Sequence, residues 1–223
     1  MIGAILLAAA LTAQPHYRSE VTVSSVTLHD GRRIARVGIT GLLVDGMDRA
    51  VAAVVAAATS AGADTLEVAI DSPGGAADVG ASVYATLASA DVVVRCLVTG
   101  SASSMAFVIL QACDDRASLP GAKLVIHRPY DIFLMTGQRY HSDRLRELAD
   151  ELDTTQAFMV GAMVDRGGLP AAIYHERLSL GDWRMSPEEA IVQKFLDRVV
   201  SDRAEFVRSV EGPPAHKKEA SRD

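Results

Sequence analysis

Apolar and polar residues alternate from Val21 to Leu28, break at Asp30-Gly31 and continue from Ile34 to Ile39, the period-two pattern of two half-buried strands joined as a hairpin. From Asp45 to Ala61 the period lengthens: Met47, Ala50, Val51, Val54 and Val55 recur at helical spacing, and Gly62 supplies a stop. Leu66 to Ile70 is an apolar run of strand length. A helix after Gly75 carries Val79, Val83, Tyr84 and Leu87 inward, and Val92 to Val98 makes the next strand. This order predicts a β-α-β unit.

The second half continues the alternation of classes. Met105 to Ala112 has the composition of a buried helix, and Lys123 to Ile126 is a short strand ending at His127, where Pro129 biases Arg128 away from helical angles. Ser142 to Val164 reads as a long helix with Leu145, Leu148, Leu152, Phe158 and Met159 on one face and Gly167-Gly168 at its end. Pro170 to Glu176 adds another helical turn. Ser186-Pro187-Glu188-Glu189 has the form of a helix start, with Ser186 as N-cap, Pro187 in the first turn and Glu189 at the capping-box position. The fold class is therefore α/β. A single domain over 20–207 is expected, preceded by a leader (1–19) and followed by a polar tail (208–223) with little to bury.

Composition changes this picture in three places. The chain of 223 residues is 49% hydrophobic with a net charge of −6, and its Lys and Arg are scattered, so it has no electrostatic footprint for nucleic acid. Cys96 and Cys113 lack the number and spacing of a zinc site and fall in apolar runs, where a free Cys behaves as a small apolar residue; a disulfide between them stays open as the less favoured alternative. The apolar run Ile2–Leu11 ends in small and polar residues like an export signal, although no Lys or Arg precedes it. A cleaved leader implies a periplasmic or secreted protein, and an uncleaved one leaves a cytoplasmic location open.

The candidate chemistry is nucleophilic. Gly100-Ser101-Ala102-Ser103-Ser104-Met105 sits between a strand-like and a helix-like run, where a hydroxyl can be presented to a substrate. Spacing alone does not choose among Ser101, Ser103 and Ser104, and a serine there can equally be an ordinary N-cap. A serine needs a base and the base an orienting acid. Of the six histidines only His127 ends an apolar strand, and Asp182 lies in the loop before Ser186. Asp71-Ser72-Pro73-Gly74-Gly75 is a turn able to aim amides at a reacting carbonyl. The helix opened by Met105 offers further free amides.

Four motifs in this order carry a resemblance: Ile70-Asp71-Ser72-Pro73-Gly74-Gly75 followed by Gly80; Gly100-x-Ala102-x-Ser104-Met105; Ile126-His127-x-Pro129; and Asp182 ahead of Ser186 and Glu189-Ala190. Over roughly residues 35–200 the chain resembles the proteolytic subunit of the Clp protease, within the wider group that includes signal peptide peptidase A and the crotonases. The resemblance implies a spiral α/β fold of β-β-α units, Ser104 as nucleophile, His127 as general base and Asp182 as orienting acid. It implies the amides of Gly75, Ala76 and Met105 as oxyanion donors. It further implies a homo-oligomeric ring, peptide or unfolded-protein substrates, no metal or organic cofactor, and an ATPase unfoldase as a possible partner. Two positions depart from the family. Gly181 precedes Asp182 where an arginine tied to ring pairing is usual, and Lys194 stands where a glycine commonly ends a helix, so a local detour is expected there. Two other functions stay open at this stage: a crotonase-type enzyme acting on acyl thioesters, and an inactive scaffold subunit.

Overall fold

The computed structural model describes residues 9–10, 19–29, 32–130 and 141–209. The Asp30-Gly31 turn, the tail from 210 and most of the leader lie outside them. A two-residue strand β1 (Ala9–Ala10) pairs with Glu20–Val21 of β2 (Glu20–His29), which runs antiparallel to β3 (Arg32–Leu43). The expected hairpin strands are thus present, and β3 runs four residues further than its apolar pattern.

From β3 onward the chain winds in β-α units. Helix α1 (Met47–Ser60) leads to β4 (Thr65–Gly75), α2 (Ala77–Ala88) to β5 (Val93–Ser103), and α3 (Met105–Leu110) to β6 (Asp115–Ser118), with β3, β4, β5 and β6 parallel. Such crossovers need the intervening helix to cover the sheet, which makes the central strands apolar on the covered face. Leu66, Val68 and Ile70 of β4 and Val94, Cys96 and Val98 of β5 are buried with Val51, Val83, Phe107 and Ile109 in one core cluster.

β5 serves two neighbours. Arg95–Val98 pairs with β6, whereas Ser101–Ser103 pairs with β7 (Lys123–Ile126), so the sheet forks at the end of β5. After α4 (Ser142–Gly167) and α5 (Ala171–Ser179) a short strand β8 (Trp183–Met185) adds antiparallel to β7. Helix α6 (Pro187–Val192) then leads to β9 (Arg198–Val199) beside β6, and α7 (Arg203–Arg208) closes the described chain. The start of α6 follows its sequence signal: Ser186 Oγ accepts from the Glu189 amide at 3.2 Å, and Glu189 reaches back to the Ser186 amide at 2.8 Å.

The sheet's other face carries charge. Arg36, Glu67, Arg95 and Asp115 stand opposite one another on β3, β4, β5 and β6, and Arg198 of β9 completes the row. Arg36 Nε meets Glu67 at 2.7 Å, Arg95 lies 3.5 Å from Glu67 and 2.8 Å from Asp115, and Arg198 Nη2 donates to Asp115 at 2.7 Å. Phe206 of α7 lies under the guanidinium of Arg95, 4.4 Å from its ring centre, and its carbonyl accepts from Arg95 Nη2. The row docks the C-terminal helix.

One open pairing closes here and one expectation is corrected. Cys96 and Cys113 form a disulfide, because β5 and the segment between α3 and β6 lie side by side and bring the two Cα atoms within 5.9 Å. Lys194 adopts φ 62 rather than detouring. Its carbonyl accepts from Arg116 at 2.9 Å, and the buried Phe195 and Leu196 anchor the turn that follows.

Candidate active site

The turn from β5 into α3 selects one serine of the three. Ser101 and Ser103 share a hydroxyl hydrogen bond at 2.9 Å. Ser104 sits at φ 54, ψ −127, a left-handed conformation that costs an L-residue roughly 1–3 kcal/mol and concentrates at functional sites. Its hydroxyl makes no capping bond to α3, so the ordinary N-cap role does not account for it. A serine on a strained strand-to-helix turn projects its Oγ away from both elements.

The neighbouring glycines shape the space beside it. Gly74, at φ 92, packs so closely that an added Cβ would lie 2.6 Å from both Ser104 Cβ and Ser103 O. Gly80 of α2 leaves room for Met105 in the same way, with 2.7 Å to its Cβ. Ser72, fully buried, donates to Gly41 O at 2.6 Å and accepts from the Gly74 amide at 3.1 Å, which fixes the turn to β3. Asp71 accepts from the Ser101 amide at 2.9 Å and so ties β4 to the serine turn. Sequence reasoning quoted this run for its glycines and missed the positioning work of Asp71, Ser72 and Gly74; their place in one unbroken motif was the available signal. Of the three expected oxyanion donors, the Ala76 amide is taken by Leu43 O at 3.0 Å. Gly75 and Met105 flank Gly74 and Ser104, and the first amides of a helix have no intrahelical acceptor.

The strand register brings His127 and Asp182 to the same edge. Ser103 is opposite Val125 in the parallel β5–β7 ladder, and the Ser104 amide donates to Val125 O at 2.8 Å. Ile126 is opposite Trp183 in the antiparallel β7–β8 ladder, so His127 and Asp182 occupy the next position out. The three side chains are not joined. Among the described residues, no hydrogen bond links Ser104 Oγ to His127, and no nitrogen–oxygen contact within 4.0 Å links His127 to Asp182. His127 Nδ1 lies 2.6 Å from the Arg128 carbonyl, and its ring stacks on Tyr130 at 5.1 Å. A carbonyl only accepts, so Nδ1 is the donor in this contact. Asp182 pairs instead with Arg184.

Fold and turn together define a class: a wound α/β protein presenting a strained serine beside a glycine-lined turn, with a histidine just past the end of β7 and an aspartate just before β8. Solved structures share the architecture. A point mutant of ClpP1 from Listeria monocytogenes superposes with a TM-score of 0.64 at 19% identity, covering 77% of this chain and 94% of that one. The family model described as Clp protease matches residues 4–203, and the chain belongs to that family. Among curated relatives, the ATP-dependent Clp protease proteolytic subunit of Chaetosphaeridium globosum is 30% identical over 138 residues, which cover 60% of this chain and 65% of the relative.

Proposed function

We propose that the chain is a serine endopeptidase that cleaves peptides or unfolded protein segments through an acyl-enzyme. The observation that carries this reading is Ser104: a non-glycine residue held at φ 54 with its hydroxyl uncommitted, packed against Gly74 and one strand away from a histidine. Ser104 attacks the carbonyl, and His127 Nε2 takes the proton and returns it to the leaving amine. Asp182 orients His127, and the Gly75 and Met105 amides stabilise the tetrahedral oxyanion, each donor being worth about 3 kcal/mol in such sites. Ser104→Ala is expected to abolish hydrolysis of a fluorogenic peptide in a chain that still folds; undiminished turnover in that variant would overturn the assignment.

The separation of His127 from Asp182 favours one second reading, an inactive subunit that keeps the fold and pairs with other chains. Failure of the unmodified protein to react with any serine-directed probe would decide for it.

Self-association into a ring is part of the main proposal. It is supported by family membership and by apolar side chains left at the surface, Leu180 at 81%, Val192 at 77% and Leu145 at 44% exposure. The name of the curated relative also makes an ATP-dependent partner a proposal here. The disulfide supports an oxidising compartment, since such bonds rarely persist in reducing cytosol.

A further inference from the structure

His127 and Asp182 occupy adjoining ladder positions, yet each is engaged elsewhere. Arg184 Nη2 donates to Asp182 Oδ2 at 2.6 Å, and the Arg128 carbonyl takes the His127 Nδ1 proton that a catalytic carboxylate would accept. Arg184 is two residues beyond Asp182, the spacing at which side chains share one side of an extended segment. Trp183, between them, points the other way and packs on Phe195 and Tyr174. The indole thus anchors the segment while the two charges meet on its outer side. Gly181, at φ 121, has no atom within 4 Å of where a Cβ would stand, so the turn before Asp182 has space to reorient.

We propose that Arg184 is a positioning residue that competes with His127 for the Asp182 carboxylate, holding the triad open at rest and letting it close when the ion pair breaks. The inference rests on the peptidase reading above and adds to it how the acid is withheld. A carboxylate can accept from more than one donor, so the competition is one of orientation: Arg184 draws Oδ2 of Asp182 along its own segment, while His127 stands across the ladder on the β7 side. The barrier to switching is small. With Arg184 72% and Asp182 47% exposed, a pair of this kind biases an equilibrium by no more than about fivefold.

The test compares the unmodified chain with Arg184→Gln, Arg184→Ala and Arg184→Lys, each checked for folding by circular dichroism. One-dimensional proton NMR reads the downfield imidazole N–H resonance of a histidine bonded to a carboxylate, assigned by its loss in His127→Ala. The expected result is a gain of that resonance in Arg184→Gln and Arg184→Ala, with kcat on a fluorogenic peptide raised about threefold to fivefold at unchanged KM. Arg184→Lys, which keeps the cation, stays at the level of the unmodified chain. No gain of the resonance in a folded Arg184→Gln or Arg184→Ala chain overturns the proposal, whatever the rate does. If none of these proteins cleaves peptide or labels at Ser104, the peptidase reading fails separately, and the resonance alone still decides the competition.

Discussion

At Ser104 the backbone does what a side chain alone cannot. Holding an L-residue at φ 54 is unfavourable, and the surrounding contacts hold it there: the Ser104 amide on Val125 O, Gly74 against its Cβ, and Asp71 on the Ser101 amide. Gly74 is the sharpest probe of this arrangement. Gly74→Ala places a methyl group 2.6 Å from Ser104 Cβ at a φ that alanine avoids, so the turn must shift. A displacement of about 1 Å at a reacting group costs on the order of 100-fold in rate, and kcat/KM is expected to fall by that much with the far-ultraviolet circular dichroism unchanged. An unaltered rate would show that the Gly74 contact does not set the nucleophile. Spacing alone did not choose among Ser101, Ser103 and Ser104, which are alike in type, and the preference for Ser104 came from the motif Gly100-x-Ala102-x-Ser104-Met105. What separates them is a hydroxyl pair at 2.9 Å and a positive φ, both consequences of how β4 and β5 end together.

At the scale of elements, strand register does the positioning: residues 104, 127 and 182 lie at neighbouring strand ends because β5, β7 and β8 are neighbours, although their side chains are not joined. The longer elements were legible. Val51, Val54 and Val55 of α1 and Val79, Val83 and Leu87 of α2 are buried as their spacing requires. β6, β8, β9 and α7 were not, since segments of two to six residues carry too few positions to show a period. The charged row across the sheet was hidden for a different reason: Arg36, Glu67, Arg95 and Asp115 look like solvated positions until the strands are paired. Burial would raise the Asp115 carboxyl, but hydrogen bonds from Arg198 and Arg95 and their charges outweigh it and hold the group below its usual range. The sign follows. A carboxylate with a lowered folded value adds stability that is present above its unfolded value, about 3.9, and is lost as pH falls through the folded one. Unfolding midpoints are therefore expected to drop below about pH 4. Asp115→Asn should lose stability at pH 7, by about 3 kcal/mol in denaturant titration, and should show a flatter acid limb. An acid limb identical to that of the parent would refute this role for Asp115.

For the whole molecule, the disulfide is the one covalent link among the described residues beyond the backbone. Cys96–Cys113 closes a loop that contains Ser104, so the covalent link and the Ser104 turn share one segment. A loop of this length contributes about 3 kcal/mol by restricting the unfolded chain, and reduction is expected to lower the melting temperature by about 10 °C. Equal melting temperatures with and without reductant would mean that the bond does not form in solution. The pairing was not legible in advance, because a separation of 17 residues says nothing about which strand and helix lie together. The family, by contrast, was legible from four ordered motifs, and the family model covering residues 4–203 bears it out. The most direct measurement on the central claim is mass spectrometry of the protein after reaction with a fluorophosphonate. The account predicts one adduct per chain, on the peptide carrying Ser104, absent in Ser104→Ala and strongly reduced in His127→Ala. An adduct on Ser101 or Ser103, or none under conditions where the chain is folded and assembled, would contradict it.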